Sequence, residues 1–160
     1  MEYNGITLTE DMLWVLIITM VIYYTVLAFY CRTIKKTLDL IAEENRFLTP
    51  RSAWLAIIPI FNIYWNFVIA SRLSDSLTNE FYDRKIPEEE FPGKVTGTTY
   101  AVLIALANFP VSQELSLLTG LFSFYFFIRY WIKIDNFRTL LKEHNRYLAS
   151  QKTENEHETI

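Results

Sequence analysis

Residues 52–71 read Ser-Ala-Trp-Leu-Ala-Ile-Ile-Pro-Ile-Phe-Asn-Ile-Tyr-Trp-Asn-Phe-Val-Ile-Ala-Ser, twenty positions without a charge and with Pro59 near the middle. A helix of roughly 20 apolar residues crosses a hydrocarbon core about 30 Å thick, so the length admits a membrane span. Pro59 argues for a break, because it removes a helical hydrogen bond and clashes with the preceding turn, which sets a kink near Ile57 or Ile58. Whether this segment crosses or turns back decides how the rest of the chain threads.

Three more stretches, 12–31, 95–113 and 115–128, are equally free of charge, and the four together hold 73 of the 160 residues although the chain carries 33 charged side chains. A soluble domain distributes charge along the outer faces of its helices. With 51% hydrophobic residues and a mean hydropathy of +0.14, the pattern excludes a soluble enzyme, a secreted disulfide scaffold and a disordered chain. The expected fold class is an all-α integral membrane protein: three spans plus one Pro-broken re-entrant or fourth span, with amphipathic juxtamembrane helical extensions. A single helical membrane domain over 1–148 contains apolar segments 12–31, 52–71, 95–112 and 113–132, and a polar tail, 149–160, is expected to be disordered.

The first helix has a start signal in Thr9 followed by Glu10 and Asp11, and Thr7 with Glu10 has capping-box spacing. With no Lys or Arg among its first eleven residues, the N-terminus is read as retained, not as a cleavable signal. Past the first segment Ile34, Leu38 and Ile41 keep helical spacing among charges, which predicts an amphipathic extension to about residue 45. Thr49 and Pro50 open the second element as N-cap and first helical residue. Leu73, Leu77 and Phe81 form a second extension over 71–83, and Phe137, Leu140, Leu141, His144, Tyr147 and Leu148 a third over 133–148. The third helix is predicted from Val95 to Asn108, and Ser112 with Glu114 opens the fourth.

Gly97, Ala101 and Ala105 repeat every four residues on the third helix, and Ser116, Gly120 and Ser123 form a similar stripe on the fourth. Spans pack through small residues that let backbones approach, so the two stripes are expected to face each other in a tight hairpin. Glycine and alanine are also common in spans generally.

Basic residues near spans prefer the cytoplasmic side. Of the 15 Lys and Arg residues, five lie in 32–51, four in 72–94 and six in 129–152. Four crossings would leave five of them outside. If 52–71 enters and returns on one side, all 15 fall inside, with the N-terminus outside and the C-terminus inside. Trp54 and Trp65 flank Pro59 about symmetrically, as two anchors in one leaflet would. A kinked span remains the alternative.

The stretch Trp54-x-x-Ile-Ile-Pro-Ile-Phe-Asn-Ile-Tyr-Trp-Asn-Phe, followed by Ser74-Asp-Ser-Leu-x-x-Glu-Phe and by Tyr130-Trp-Ile-Lys-Ile, resembles a family of small multi-pass bacterial membrane proteins with no established activity. The similarity covers about residues 48–140; Arg129, just before the Tyr-Trp pair, departs from an apolar pattern there. The resemblance implies a bacterial cytoplasmic membrane and an undivided helical domain, and it brings no catalytic or binding residues.

Asn62 and Asn66 are the polar candidates at depth, either bonding between helices or lining a pocket. Arg129 and Lys133 are candidate lipid-headgroup anchors, able to snorkel toward phosphate. Cys31 reads as a packing residue, and Glu88, Glu89 and Glu90 as a solvated run. His144 and His157 stand too far apart for a metal pair, and no spacing points to a catalytic site, metal or cofactor. The expected partners are the lipid bilayer and a protein on the cytoplasmic face; a net charge of -3 argues against nucleic acid. The leading expectation is a non-enzymatic accessory, scaffold or regulatory component. The competing one is a carrier or binding module for a small lipophilic molecule at Pro59, Asn62 and Asn66.

Overall fold

The computed structural model describes residues 9–109 and 112–158; it is helical throughout, with no strand among the described residues. Four helices carry the fold: α1 (Glu10–Asp39), α2 (Phe61–Asp83), α3 (Lys94–Ala107) and α4 (Gln113–Glu158), with 3₁₀ segments Glu43–Asn45 and Pro50–Ile57 between α1 and α2. By length and composition two of them, α1 and Glu114–Glu154 within α4, can cross a membrane. The most apolar window of α1 is only 6% buried, so it is no core helix of a soluble protein. At 1.5 Å per residue α3 is about 21 Å long, short of a full hydrocarbon core.

Helix directions follow from side-chain contacts. Tyr30 packs on Phe127 and Trp131, and the Trp131 indole donates to Thr33 Oγ1 at 3.0 Å, so α1 and α4 run parallel. This register sets Arg32 level with Arg129, and both helices leave their charge-free stretch together. Tyr100 lies on Phe127 and Gly97 against Tyr130, which makes α3 antiparallel to α4. Asn62 reaches Tyr23 and Asn45 reaches Glu80, so α2 runs alongside α1 in the same sense. All 15 Lys and Arg residues consequently gather at one end of the bundle.

The core sits at that charged end. Ile34 and Leu38 of α1, Leu73 and Leu77 of α2, and Ile134 and Leu141 of α4 are each fully buried in one cluster. The three amphipathic extensions cover one another's apolar stripes, because each alone leaves several large side chains in water. Coverage ends at Leu141: His144 is half-buried, and Tyr147 and Leu148 are exposed.

Several boundaries differ from the sequence reading. Thr9 is the N-cap of α1 by position but makes no side-chain capping bond, and Thr7 lies outside the described residues. The first helix ends at Asp39, six residues early, because the chain leaves it to aim the Ala42 N–H and the Asn45 amide at Glu80 (3.0 and 2.9 Å). That carboxylate, 2% exposed, also pairs with Arg84 at 2.6 Å, and Arg84 in turn donates to the Leu40 carbonyl. The 149–160 tail, expected to be disordered, continues α4 as helix to Glu158; 159 and 160 lie outside the described residues. Ser112 Oγ accepts from Leu115 N at 3.4 Å, a weak cap for α4.

The small-residue stripes do not face each other as expected. A Cβ on Gly97 would stand 2.6 Å from Tyr130 Cε2 and 2.9 Å from Ala70 Cβ, so this glycine admits a tyrosine ring and a second helix. Ala101 is buried and Ala105 half-buried on the same helix. Gly120 has nothing within 4 Å of its added Cβ, and Ser116 is half-buried. Ser123 is buried, so of the fourth-helix stripe it is Gly120 that meets no neighbour.

Candidate functional site

The segment around Pro59 is a reversal. The arm before it is 3₁₀, not α, and closes with Ile58 N donating to Leu55 O at 3.2 Å. Ile60 then takes φ 65°, ψ −50°, and Phe61 N donates to Pro59 O at 2.6 Å across three residues, the γ-turn of the rarer, strained hand. For a β-branched residue this backbone is an outlier, and it sits at an exposed turn. Beyond the turn α2 begins, and Trp65 Nε1 donates to Ser52 O at 2.8 Å. The two arms lie side by side, and Trp54 and Trp65 flank the turn as the sequence suggests, Trp65 partly buried and Trp54 partly exposed.

The turn meets α1 in the middle of its apolar stretch. Pro59, Ile60 and Asn62 border a cavity of about 270 Å³ with Tyr23 and Tyr24 of α1 and with Ile104 and Asn108 of α3. Tyr23 lies nine residues before Arg32, about 14 Å along the helix, less than half a hydrocarbon thickness.

A second cavity of about 400 Å³ opens between α1, α3 and α4. Its walls are almost wholly apolar: Ile22, Val26 and Leu27 on one side, Ala107 on the second, Phe124 and Phe127 on the third. Gly120, without a side chain, leaves part of this room. Tyr23 and Ile104 border both cavities, and among the described residues no charged side chain borders either. Each cavity is near the usual size of a small-ligand pocket, and together they place a few polar groups beside an apolar slot.

Asn62 and Asn66 are both buried. The Asn62 amide points to the Tyr23 hydroxyl at 3.4 Å, a long contact. Asn66 Nδ2 donates to the Asn62 carbonyl at 2.8 Å, while Asn66 Oδ1 has no partner among the described residues. An unpaired buried carbonyl costs roughly 1–3 kcal/mol, so its retention needs a reason.

The two proposed headgroup anchors part company. Arg129 is exposed, its guanidinium 5.8 Å from the Tyr125 ring centroid and 3.3 Å from that hydroxyl, free to meet a phosphate. Lys133 instead pairs with Glu89 at 2.7 Å, and Glu89 also accepts from Gly93 N at 2.6 Å, fastening the 84–93 loop to α4. Lys133 is thus engaged in an ion pair, while Glu88, Glu89 and Glu90 all remain exposed. Cys31 is fully buried in the core, as a packing residue should be. No cluster of three metal-ligating side chains occurs among the described residues.

Tyr23, Asn108 and Tyr100 were not singled out in the sequence. Tyr23 carried a usable signal: tyrosines of a span concentrate at its interfaces, and this one lies inside a charge-free stretch. No family model matches the chain, and comparison with curated proteins and with solved structures likewise finds no match. The resemblance over residues 48–140 therefore rests on its own motifs.

Proposed function

We propose that the chain is a non-enzymatic multi-pass protein of the bacterial cytoplasmic membrane that holds a small lipophilic molecule at the break around Pro59, Asn62 and Asn66. The observation that carries this reading is the meeting of a polar recess and an apolar slot at Tyr23, beside the strained turn at Ile60. The polar groups present are amides and phenols, suited to hydrogen bonding more than to proton transfer near neutral pH.

In this reading α1, α3 and α4 cross the bilayer, the shorter α3 matched by local thinning, and 52–71 is a re-entrant hairpin. The gathering of the 15 basic residues at one end supports an outside N-terminus and an inside C-terminus. A reporter fused after Glu90 should report the cytoplasm; an external signal would refute the hairpin. For the function itself, lipid extracts of the purified protein should contain a retained lipophile that an Asn62→Leu/Asn66→Leu variant, still folded, loses. Equal retention by that variant would refute the binding site.

A second reading keeps the accessory role on the cytoplasmic face. It is favoured by the last turns of α4, where Tyr147 and Leu148 are exposed beyond the core. Because Phe137 and Leu141 are core residues, its test is crosslinking with a truncation after Leu141, which leaves the bundle intact. An unchanged crosslinking pattern would count against a partner there.

A further inference from the structure

We propose that the molecule held at the break is an uncharged, single-chain amphiphile whose head carries hydroxyl groups. This inference rests on the binding reading above and narrows its ligand to one chemical class. The chain would lie in the slot between α1, α3 and α4, and the head in the recess at Pro59, with Tyr23 and Ile104 at the junction.

Charge is excluded by what borders the cavities. Among the described residues no Lys, Arg, His, Asp or Glu faces either one. An ion brought to this depth loses its hydration and finds no counter-charge, and that penalty amounts to several kcal/mol per ion. A neutral head avoids it.

Donors are selected over acceptors by the two asparagines. Asn108 Nδ2 is committed to Ile104 O at 2.8 Å, and Asn62 Nδ2 points to Tyr23. Their carbonyl oxygens, Asn62 Oδ1 and Asn108 Oδ1, accept no hydrogen bond among the described residues. An open acceptor on buried Asn62 and a second on Asn108, at the exposed end of α3, favour a partner that brings hydroxyl protons. A carboxylate or phosphate, which only accepts, fits neither requirement. The slot has room for one chain beside the aromatic edges of Phe124 and Phe127, and its near-absence of polar surface suits a hydrocarbon.

The test uses the full chain in phosphatidylcholine nanodiscs and three photoactivatable probes of equal chain length: a monoacylglycerol, a fatty acid and a long-chain alkylamine. The monoacylglycerol should label peptides containing Tyr23 or Ile104, be competed by unlabelled monoacylglycerol, and exceed both charged probes at least tenfold. Asn62→Leu should weaken that labelling about three- to tenfold, the worth of one neutral hydrogen bond. Asn108→Leu, at an exposed helix end, should do the same with an unchanged melting temperature. Labelling by either charged probe as strong as by the neutral one would overturn the ligand class and leave the binding reading standing. Undiminished labelling in both variants would overturn the placement of the head. No saturable labelling by any probe would overturn the inference and the binding reading together.

Discussion

Trp65 donates its indole N–H to the carbonyl oxygen of Ser52 at 2.8 Å, between residues thirteen apart in sequence. A continuous α-helix would separate those positions by about 20 Å, so the bond exists only because the chain reverses between them. It holds the entry and exit of the hairpin at one level. Single cysteines at Ser52 and Ser71 are therefore expected to react with an impermeant maleimide from the same side of the membrane, and a cysteine at Glu10 from the other, in a Cys31→Ser background. Reaction of Ser52→Cys and Ser71→Cys from opposite sides would show a crossing.

The strain at Ile60 gives a second expectation. A left-handed backbone costs a non-glycine residue on the order of 1–3 kcal/mol, and glycine adds roughly 0.5–1 kcal/mol of lost chain entropy on folding. Ile60 is 85% exposed, so its side chain contributes little packing that a glycine would lose. Ile60→Gly should leave stability unchanged or raise it by up to about 2.5 kcal/mol in detergent unfolding. A clear loss would mean that lipid or ligand contacts of Ile60 outweigh the strain.

Two glycines of the expected packing motif should behave in opposite ways. Gly97→Ala drives a methyl to 2.6 Å from Tyr130 and 2.9 Å from Ala70, and overpacking of this kind costs about 1–3 kcal/mol. Gly120→Ala meets open space and removes a helix-interior glycine, a gain of about 0.5–1 kcal/mol. The larger Gly120→Leu points a side chain toward the apolar slot and should block lipophile retention without unfolding the bundle. Equal effects of the two alanine substitutions would reject this account of the α3–α4 contact.

The helices, their order and the break were readable because each left a strong local mark: charge-free windows, helical spacing of Ile34 and Leu38, and a proline at 59. The count of Lys and Arg suggested a return of the segment after the break, and the Trp65–Ser52 bond shows the local reversal. What the sequence did not carry was pairing. Gly97 and Gly120 look alike on their helices, yet only one meets a neighbour, because the difference is made by Tyr130 from another part of the chain. Lys133 has the spacing of an interfacial anchor, and its ion pair with Glu89 spans 44 residues. The recess at Tyr23 needs three helices to exist, so only its asparagines were visible beforehand.

Glu80 shows the same blindness and supports the sharpest energetic contrast. It stands among Arg72, Asp75 and Asn79, a setting that reads as a solvated helix face, yet it is 2% exposed. Its two oxygens accept from Ala42 N, Asn45 Nδ2 and Arg84 Nε at 3.0, 2.9 and 2.7 Å, joining the end of α1 to α2. Removing one partner of a buried pair strands the other, at about 3–5 kcal/mol, whereas an ion pair in contact with water is worth about 0–1 kcal/mol. Glu80→Gln keeps the shape and loses the charge, leaving Arg84, whose side chain is 16% exposed, without its carboxylate. The pair of Lys133 and Glu89 has side chains 35% and 40% exposed, so Lys133→Ala belongs to the second regime. Unfolding in detergent should accordingly place Glu80→Gln at least 2 kcal/mol below the parent and Lys133→Ala within about 1 kcal/mol of it. Similar losses for both would mean that the Glu80 cluster is wet, and that the charged end of the bundle is held by its apolar stripes alone.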